Sequence, residues 1–434
     1  MPSPAAPARP GFSREWARQS GGPSISQVNI VFVEPAFPNN QRQFVRGLAE
    51  VGATVIGIGE RPADWLDDEL RGWMQHYHQV GSVTDVPALN AAVEWVQDKV
   101  WVDRLESTIE AHTMAAAEVR EARHIPGTSV RTAWLCRDKP SMKQVLREAG
   151  VPTAASTAAD SADAVYAFAD RVGFPLILKP RAGAGAADTV RVDSRAELEH
   201  ALASYGGQGV SSIAVEEFVE GHEGFYDTLS INGVPAHDFV SHYYPNVLDA
   251  MRSRSVSPQF IATNRVDTVA DYVELREMGQ RVAHVLGIET SATHMEWFFG
   301  PKGLRFSEIG CRPPGVGAWD LYSAGNEMDL YREWASAIVH SQPSQPASRA
   351  YAAGIIALRP DRDGTIRGYS GLDELQARFG EWVIDSHLPP EGTGTQPVES
   401  GYMANAYVRM RHPDYDVLKG MLDEVGHTVR VHAG

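Results

Sequence analysis

Cysteine is scarce in this chain of 434 residues, with Cys136 and Cys311 as its two thiols, and neither lies in a spacing typical of a metal site. A disulfide framework is therefore excluded, and two isolated thiols are typical of a reducing compartment. Long apolar runs are also lacking, since no stretch approaches the ~18 uninterrupted apolar residues that a membrane span needs. Residues 1–26 lack the apolar core of a signal peptide, and we expect them to form a flexible tail. Together these absences predict a cytoplasmic protein with no membrane partner.

Positive charge is in short supply, because 39 Lys and Arg face 55 Asp and Glu for a formal net charge of −16. Nucleic-acid binding needs clustered cations on the protein surface, so we expect no nucleic-acid partner. A small basic pocket for a nucleotide remains compatible with this charge. With 43% hydrophobic and 22% charged residues, the composition is that of a globular protein, and the length predicts two to four structural units.

Strand and helix patterns alternate in the first part of the chain. Apolar runs at 28–33 and 54–58 predict buried strands, and a helical pattern at 42–51 separates them. This alternation is typical of a parallel sheet in an α/β domain, which we place at residues 27–130. Two longer helices are predicted further on, at 105–123 and 131–150.

The remainder of the chain predicts mixed α and β structure. A strand at 175–179 opens into a loop rich in Gly and Ala, and strands at 293–299 and 304–309 form a predicted hairpin. We expect three further domains, at 131–218, 219–345 and 346–434, of which the last is a smaller α+β lobe.

Two lysines far apart in the sequence, Lys139 and Lys179, suit a polyphosphate. Lys139 begins a predicted helix, and Lys179 ends an apolar strand that leads into a loop with Gly183 and Gly185. The ammonium groups would supply charge, and the small residues would let backbone N–H groups approach phosphate oxygens. Taken alone, a lysine at a strand end is more often a surface residue.

The segment 215–223 carries acidic side chains at the end of a predicted strand, among them Glu216, Glu217 and Glu223. Backbone groups at the strand end could bind the base of an adenosine, and a carboxylate could bind the ribose hydroxyls. A solvated acidic turn is the alternative interpretation of this segment on its own.

Glu296 and Glu308 lie within the apolar strands of the predicted hairpin, where an unpaired charge would be costly. Antiparallel neighbours can place two such carboxylates side by side, and hard oxygen ligands favour Mg²⁺. Arg312, four residues after Glu308, could bind an anionic substrate near that metal. The alternative is that the glutamates pair with Arg or Lys instead.

In their order along the chain, these motifs resemble those of the ATP-grasp superfamily, and in particular its carboxylate–amine ligases. The resemblance covers residues 26–430. It implies that Lys139 and Lys179 bind ATP and that residues 181–188 form a mobile loop over the phosphates. It further implies an adenine hinge of Glu216, Glu217, Phe218 and Val219, a ribose-binding Glu223, metal ligands Glu296 and Glu308, and a substrate-side Arg312.

This resemblance implies a multidomain α/β and α+β fold. Its parts are an N-terminal parallel-sheet pre-ATP-grasp domain, a two-lobed ATP-grasp fold and a small C-terminal α+β lobe. The implied cofactors are ATP and Mg²⁺, with Mn²⁺ able to substitute. Homodimerisation is an expectation from the resemblance alone.

The implied activity is that of a ligase. A small carboxylate, an amino acid above all, is activated by ATP as an acyl phosphate and condensed with an amine, which releases ADP and phosphate. Lys179 and Arg312 would be catalytic, with Arg312 stabilising the oxyanion. The alternatives are a formate- or bicarbonate-using enzyme of the purine type and a non-catalytic ATP-binding regulatory protein.

Two features depart from the family pattern. Many members carry Asn two residues after the second metal glutamate, where this chain has Gly310, and the phosphate loop has Ala186-Ala187 in place of the usual Ser. The motif 308–315 is instead similar to that of amino-acid ligases and of the purine-pathway relatives. His294 is common in the amino-acid ligase branch, where it would contact substrate; a buried His bonded to the backbone is the alternative.

A second region mixes aromatic and cationic residues and could set specificity. Arg252, Arg254 and Arg265 could reach a phosphate or a substrate carboxylate. They could equally be plain surface charges.

Overall fold

The computed structural model of the chain describes residues 27–159, 161–181, 189–204, 213–398 and 401–434. The expected tail at 1–26 and the loop residues 182–188 lie outside these ranges. The chain forms two compact units, the first made of residues 1–130 with 334–341 and the second of residues 131–333 with 342–434. Within the described ranges, no helix has the length and apolar character to cross a membrane.

The first unit is built on the parallel sheet that the alternating pattern predicts. In chain order its elements up to residue 130 are β1 (Asn29–Val33), α1 (Gln41–Glu50), β2 (Thr54–Gly59), α2 (Asp68–Trp73), β3 (His76–Gln79), α3 (Val86–Gln97), β4 (Arg104–Glu106) and α4 (Thr113–Arg123). The order across the sheet is β3-β2-β1-β4, and all neighbouring strands are parallel. Strands β1 and β2 are almost wholly buried, as expected of a parallel sheet with both faces covered.

The core of this unit includes a ring from much later in the chain. Trp334 packs edge-on against Phe44, with ring centroids 5.0 Å apart, and against Phe32 at 6.1 Å. All three side chains are buried. Residues 334–341 therefore complete the core that residues 27–130 begin.

Two of the predicted helices differ from the structure. The start of the stretch 105–123 is strand β4, because Leu105 pairs with Val31 of the sheet, and the helix begins only at Thr113. The stretch 131–150 is divided into α5 (Val130–Leu135) and α6 (Lys139–Glu148). The second helix starts anew because the Asp138 side chain accepts a hydrogen bond from the backbone N–H of Ser141, as an N-cap does.

The second unit contains a small antiparallel sheet. Its elements are β5 (Ser156–Ala158), α7 (Ala162–Val172), β6 (Leu176–Pro180), β7 (Val190–Val192), α8 (Arg195–Ser204) and β8 (Ile213–Glu217). The strand order is β5-β8-β6-β7, and every neighbouring pair is antiparallel. Phe168 of α7 and Leu198 of α8 share an apolar core with Leu178 of β6, so both helices cover this sheet.

The rest of the chain, residues 218–398 and 401–434, forms a large antiparallel sheet with flanking helices and a separate two-stranded sheet, and all of it except residues 334–341 belongs to the second unit. Its elements are β9 (His222–Ile231), β10 (Val234–Tyr244), α9 (Val247–Ala250), β11 (Gln259–Ala262), α10 (Asp271–Leu286), β12 (Ser291–Gly300), β13 (Gly303–Gly310), α11 (Ala318–Asn326), α12 (Leu330–His340), β14 (Ala352–Leu358), β15 (Ile366–Ser370), α13 (Leu372–Phe379), β16 (Val383–His387), β17 (Ala406–His412), α14 (Tyr415–Thr428) and β18 (Arg430–Ala433). The eight strands follow the order β13-β12-β9-β10-β11-β14-β17-β16, while β15 pairs with β18. The predicted hairpin is therefore present as β12 and β13 at one edge of the sheet.

The segment after residue 346 has the mixed α and β structure that the sequence predicts. Three of its strands, β14, β17 and β16, continue the same sheet that carries the hairpin. The domain boundaries expected near residues 218 and 345 remain a prediction.

Candidate nucleotide and metal site

Lys139 and Lys179, far apart in the sequence, meet at the carboxylate of Glu308. The Glu308 Oε2 atom lies 3.4 Å from the Lys139 ammonium and 3.7 Å from that of Lys179. Helix α6 brings Lys139 there, because its Met142 and Leu146 share one apolar core with the hairpin strands. Both ammonium groups are buried, so this is a charged site inside the protein.

Asp138 ties the start of α6 to the entry of the phosphate loop. Its carboxylate accepts a hydrogen bond from Arg181 at 3.0 Å, and the backbone N–H of Lys139 donates to the Arg181 carbonyl at 3.0 Å. Burial alone would raise the pKa of Asp138, but the hydrogen bonds from Arg181 and Ser141 lower it. The predicted loop glycines, Gly183 and Gly185, lie outside the described residues.

The side chain of Glu216 is buried between two lysines. Its Oε2 atom lies 2.6 Å from the Lys143 ammonium and 2.9 Å from that of Lys179. Burial would raise the pKa of Glu216, but the two positive charges outweigh it and lower the pKa to about 2. The other oxygen, Oε1, is buried without a hydrogen-bond partner among the described residues. Glu216 thus presents one spare acceptor at the centre of the cluster.

The other residues of the predicted hinge follow directly. Glu217 lies 3.6 Å from the exposed Lys302 ammonium, and the Phe218 ring lies under the Arg191 guanidinium at 4.3 Å. Val219 is half-buried. Their backbone continues from β8 into the turn before β9.

Glu223, the predicted ribose acid, is buried at the start of β9. Its carboxylate accepts a hydrogen bond of 2.7 Å from the backbone N–H of Val247. Burial, and then the nearby negative charge of Glu296, raise the pKa of Glu223 to about 8. Acidic side chains therefore lie close together in this site, and a bound cation would reduce the repulsion between them.

Glu296 and Glu308 are direct partners across the antiparallel pair of β12 and β13. The next pair is Trp297 with Phe306, so Ser307 is an extra residue that bulges beside the two carboxylates. No group of three or more metal-binding side chains occurs within the part of the chain that the structure describes. Two carboxylates still fit Mg²⁺, because Mg²⁺ at phosphate sites takes one or two carboxylates and completes its shell with phosphate oxygens and water.

His294 stands beside the same carboxylates. Its Nδ1 atom lies 2.8 Å from Asp227, which also accepts a hydrogen bond of 2.5 Å from the Tyr322 hydroxyl. Its Nε2 atom lies 3.8 Å from Glu296. Burial would lower the pKa of His294, but the Asp227 carboxylate and the Glu296 contact raise it to about 9. The partner of the His294 Nδ1 atom is therefore a carboxylate, whereas the alternative interpretation expected a backbone group.

Arg312 follows β13 and is half-buried, with a hydrogen bond of 2.8 Å to the Pro313 carbonyl. The positive charge of Arg312 lowers the pKa of His294. Gly310, which replaces the usual Asn, is the cross-strand partner of His294.

Two of the three arginines expected near a substrate form ion pairs with aspartates, and the third is exposed. Arg254 forms an ion pair of 2.6 Å with Asp363, and Arg265 forms one of 2.7 Å with Asp416. Arg252 is exposed after α9. Their contact with a substrate remains a prediction, and the two ion pairs connect Arg254 and Arg265 to the C-terminal segment.

Sequence reasoning missed Lys143 and Asp227. Lys143 lies four residues after Lys139, so both share one face of α6, and this spacing was a usable signal. Asp227 stands in the middle of the apolar strand β9, where a charge needs a partner just as Glu296 does. Only the fold shows that His294 provides the partner.

The chain is similar to several known proteins. The family model for the ATP-grasp domain matches residues 144–326. An L-arginine-specific L-amino acid ligase of Bacillus subtilis is 25% identical over 315 residues, which cover 71% of this chain and 75% of that protein. A formate-dependent phosphoribosylglycinamide formyltransferase of Burkholderia lata is 25% identical over 356 residues, or 80% of this chain and 83% of that protein.

The fold is also that of a solved structure, the L-amino acid ligase from Bacillus licheniformis. The TM-score is 0.73 at 17% identity, over 94% of this chain and 99% of that one. The chain contains an ATP-grasp domain, which the family model matches at residues 144–326. The class of enzyme that these relatives indicate is that of the ADP-forming ligases that make C–N bonds.

Proposed function

We propose that this protein uses ATP to activate the carboxylate of a small molecule, an amino acid, and joins it to an amine as an amide or peptide. The supporting observation is the convergence of Lys139 and Lys179 on Glu308, directly across the hairpin from Glu296. That arrangement provides cations for phosphate oxygens and carboxylates for a metal ion in one place.

Each element of the site has a role in this proposal. Lys139 and Lys179 hold the phosphates, and the backbone from Glu216 to Val219 holds the adenine, with the spare Glu216 oxygen as an acceptor for an N–H of the base. Glu223 binds the ribose. Mg²⁺, or Mn²⁺ in its place, held by Glu296 and Glu308, would neutralise charge on the phosphates.

The chemistry then proceeds in two displacements. An oxygen of the substrate carboxylate attacks the γ-phosphorus of ATP, and the bond to the β-phosphate oxygen breaks to release ADP. The neutral amine attacks the acyl carbon, and phosphate leaves as the nitrogen loses a proton. Lys179 neutralises charge on the transferred phosphoryl group, and Arg312 stabilises the oxyanion while His294 contacts the substrate.

One other reaction is favoured by a specific observation, since formate-dependent purine-pathway enzymes are among the relatives. In that case turnover would depend on formate or bicarbonate rather than on an amino acid. A regulatory protein without catalysis would bind ATP and show no turnover with either set of substrates.

The test is phosphate release from ATP and Mg²⁺ with pooled amino acids, small carboxylates and amines, with products read by mass spectrometry. We expect release that depends on a carboxylate and an amine together, with a new amide mass. Glu308→Gln should abolish this turnover, whereas Glu274→Gln on the exposed face of α10 should leave it unchanged. Wild-type turnover in Glu308→Gln would contradict the metal assignment, and dependence on formate or bicarbonate would select the purine-type reaction.

The remaining expectations belong to the same proposal. We expect small-molecule substrates, a homodimer in sedimentation experiments and a cytoplasmic location.

A further inference from the structure

The loop that carries Arg312 is short and connects two ordered elements. It covers residues 311–317, between the end of β13 at Gly310 and the start of α11 at Ala318. Strand β13 is held in place by its pairing with β12. The position of the Arg312 side chain therefore also depends on what holds the first turn of α11.

Arg409 of β17 lies against that first turn. Its Nη1 atom is 3.1 Å from the Oδ2 atom of Asp320 in α11 and also 3.1 Å from the Oδ2 atom of Asp385 in β16. One guanidinium therefore joins α11 to the strand at the edge of the large sheet. Asp320 also accepts a hydrogen bond of 3.1 Å from the Tyr331 hydroxyl, so its carboxylate is held by two partners.

The backbone of the loop also contacts the Arg409 side chain. Gly317, the residue before α11, has a φ of 72°, a conformation that favours glycine. A Cβ atom at this position would collide with the Arg409 guanidinium, so the Gly317 backbone and the guanidinium are in close contact. The Gly317 carbonyl accepts hydrogen bonds from the backbone N–H groups of Asp320 and Leu321. Gly317 thus connects the end of the loop both to Arg409 and to the first turn of α11.

The Arg409 side chain is buried, at 9% exposure, and a buried charge needs partners of opposite sign. Its Nε atom is buried without a hydrogen-bond partner among the described residues, so the two aspartates carry most of that compensation. Asp320 and Asp385 approach the same nitrogen atom, and without the guanidinium they would repel each other at close range. Loss of Arg409 should therefore loosen the first turn of α11 rather than leave it in place.

Strand β17 holds the other end of α11 through a second arginine. Arg411, two residues after Arg409, lies on the same side of the strand because side chains alternate between the two faces of a sheet. Its Nη1 atom donates a hydrogen bond of 2.9 Å to the Ala324 carbonyl in the last turn of α11. The two arginines thus have similar settings, but it is Arg409 that contacts the end of the helix where the loop 311–317 arrives.

We propose that Arg409 is a positioning residue for the second displacement of the ligase reaction, an inference that rests on the proposed function. Arg409 holds the first turn of α11 and thereby fixes the loop 311–317, which in turn places the Arg312 guanidinium where the oxyanion forms. Stabilisation of an oxyanion needs a preorganised donor, so a loose loop slows the attack of the amine. Water then attacks the acyl carbon instead, the bond to the phosphate oxygen breaks, and the products are the free carboxylate and phosphate.

Hydrogen exchange of the full chain, read by mass spectrometry, tests whether Arg409 fixes the loop, and it needs neither nucleotide nor substrate. In Arg409→Met we expect backbone amides of the peptide 312–321 to exchange at least about tenfold faster than in wild type, with no change in β1 and β2. Arg411→Met is the matched control, and its faster exchange should be confined to the C-terminal half of α11. Exchange at the wild-type rate in 312–321 of Arg409→Met would overturn the proposal.

The ratio of phosphate released to amide formed tests the effect on the reaction. In Arg409→Met this ratio should rise at least about threefold over wild type, because the acyl phosphate is lost to water, while the Kd for a non-hydrolysable ATP analogue should stay within about twofold. Arg409→Lys keeps a cation between the two aspartates and should restore most of the coupling. Asp320→Asn removes the same contact from the helix side, and it should also raise the ratio if Arg409→Met folds poorly. Arg411→Met should keep the wild-type ratio.

The two measurements separate a failure of this proposal from a failure of the proposed ligase function. Amide formation by wild type, with an unchanged ratio of phosphate to amide in both Arg409→Met and Asp320→Asn, would refute the positioning role and leave the ligase function standing. A wild-type protein that forms no amide with any substrate pool would refute the ligase function and, with it, the role of Arg409 in amide formation. The exchange experiment would still decide whether Arg409 holds the loop.

Discussion

Lys143 is buried at 1% exposure, where an ammonium group needs a partner charge. Glu216 supplies that charge, but the same oxygen atom also lies against Lys179. One carboxylate is therefore shared between two cations. We infer that Lys143 limits how tightly Glu216 can hold Lys179, which leaves the Lys179 ammonium able to turn to phosphate oxygens.

Lys143→Met tests this sharing, because methionine has a similar length and no charge. Glu216 would then pair with Lys179 alone, and we expect ATP affinity to fall about tenfold, equivalent to about 1.4 kcal/mol. The midpoint of thermal unfolding should also fall, since a buried ion pair is broken. Calorimetry with a non-hydrolysable ATP analogue measures the first effect.

Two further variants complete that experiment. Lys143→Arg keeps the charge and should recover most of the nucleotide affinity. Lys302→Met removes a lysine that is 63% exposed and should have little effect. Equal nucleotide affinity in Lys143→Met and wild type would refute the role given to Lys143.

At the scale of single residues, the sequence indicated charged side chains that lie among apolar neighbours. Glu296 and Glu308 stood out because they interrupt apolar strands, and the structure pairs them across the hairpin. Lys143 was missed because a lysine on a helix usually faces solvent, and its burial depends on the core that α6 shares with the hairpin. The partner of a buried charge is a property of the fold and cannot be read from a local pattern.

Strands β9 and β10 are joined by a pair of histidines. The His222 Nε2 atom lies 2.9 Å from the His242 Nδ1 atom, and the His242 Nε2 atom lies 2.8 Å from the Tyr272 hydroxyl of α10. Burial and the neighbouring His222 lower the pKa of His242 to about 3. His242 is therefore neutral in the folded protein at the pH where an exposed histidine would titrate, and burial also lowers the pKa of His222.

We predict that this pair makes the protein sensitive to mild acid. In the unfolded chain His242 titrates near its usual pKa of about 6.5, so the unfolded state binds the proton first as the pH falls. The free energy of unfolding should decrease on acidification from about pH 6.5 towards pH 3, by up to about 1.4 kcal/mol per pH unit for this residue. The contribution is complete above pH 6.5.

His242→Gln keeps hydrogen-bonding groups and removes the titration. Urea unfolding at pH 7.5, 6.0 and 5.0 should give a steeper pH dependence for wild type than for this variant. Parallel pH profiles would show that His242 does not control acid stability.

At the scale of elements, hydrophobic periodicity predicts a helix or strand correctly where one pattern continues along the whole element. Helix α1 was predicted at 42–51 and is observed at Gln41–Glu50, because its apolar residues recur at helical spacing along its whole length. The helix predicted from residue 105 was wrong at its start, because Leu105 is needed as a strand residue beside Val31. Pairing with a distant strand overrode the local helical pattern.

The molecule as a whole is made of two units, and the first is discontinuous in sequence. Its core contains Trp334, which contacts Phe32 and Phe44. Trp334→Ala should destabilise the first unit by about 3–5 kcal/mol, the usual cost of removing a buried tryptophan. Differential scanning calorimetry measures the shift, and Trp134→Ala, at an exposed position, should change stability by no more than about 0.5 kcal/mol.

The sequence predicted the parallel sheet of the first unit and the antiparallel hairpin of the second. It did not indicate that residues 334–341 belong with the first unit, because a single helix, α12, runs through that segment without a change of pattern. A residue belongs to the core whose apolar surface it packs against. The periodicity of a helix predicts which of its faces is buried, but it does not predict which element covers that face.

The late arrival of Trp334 has a consequence for synthesis on the ribosome. Residues 27–130 emerge first, yet the aromatic ring that completes their core follows roughly two hundred residues after Val130. At about 5–20 residues per second, this delay lasts on the order of 10–40 s. During that time Phe32 and Phe44 lack their partner ring, so the nascent first unit exposes apolar surface that invites binding by a chaperone until the later segment is made.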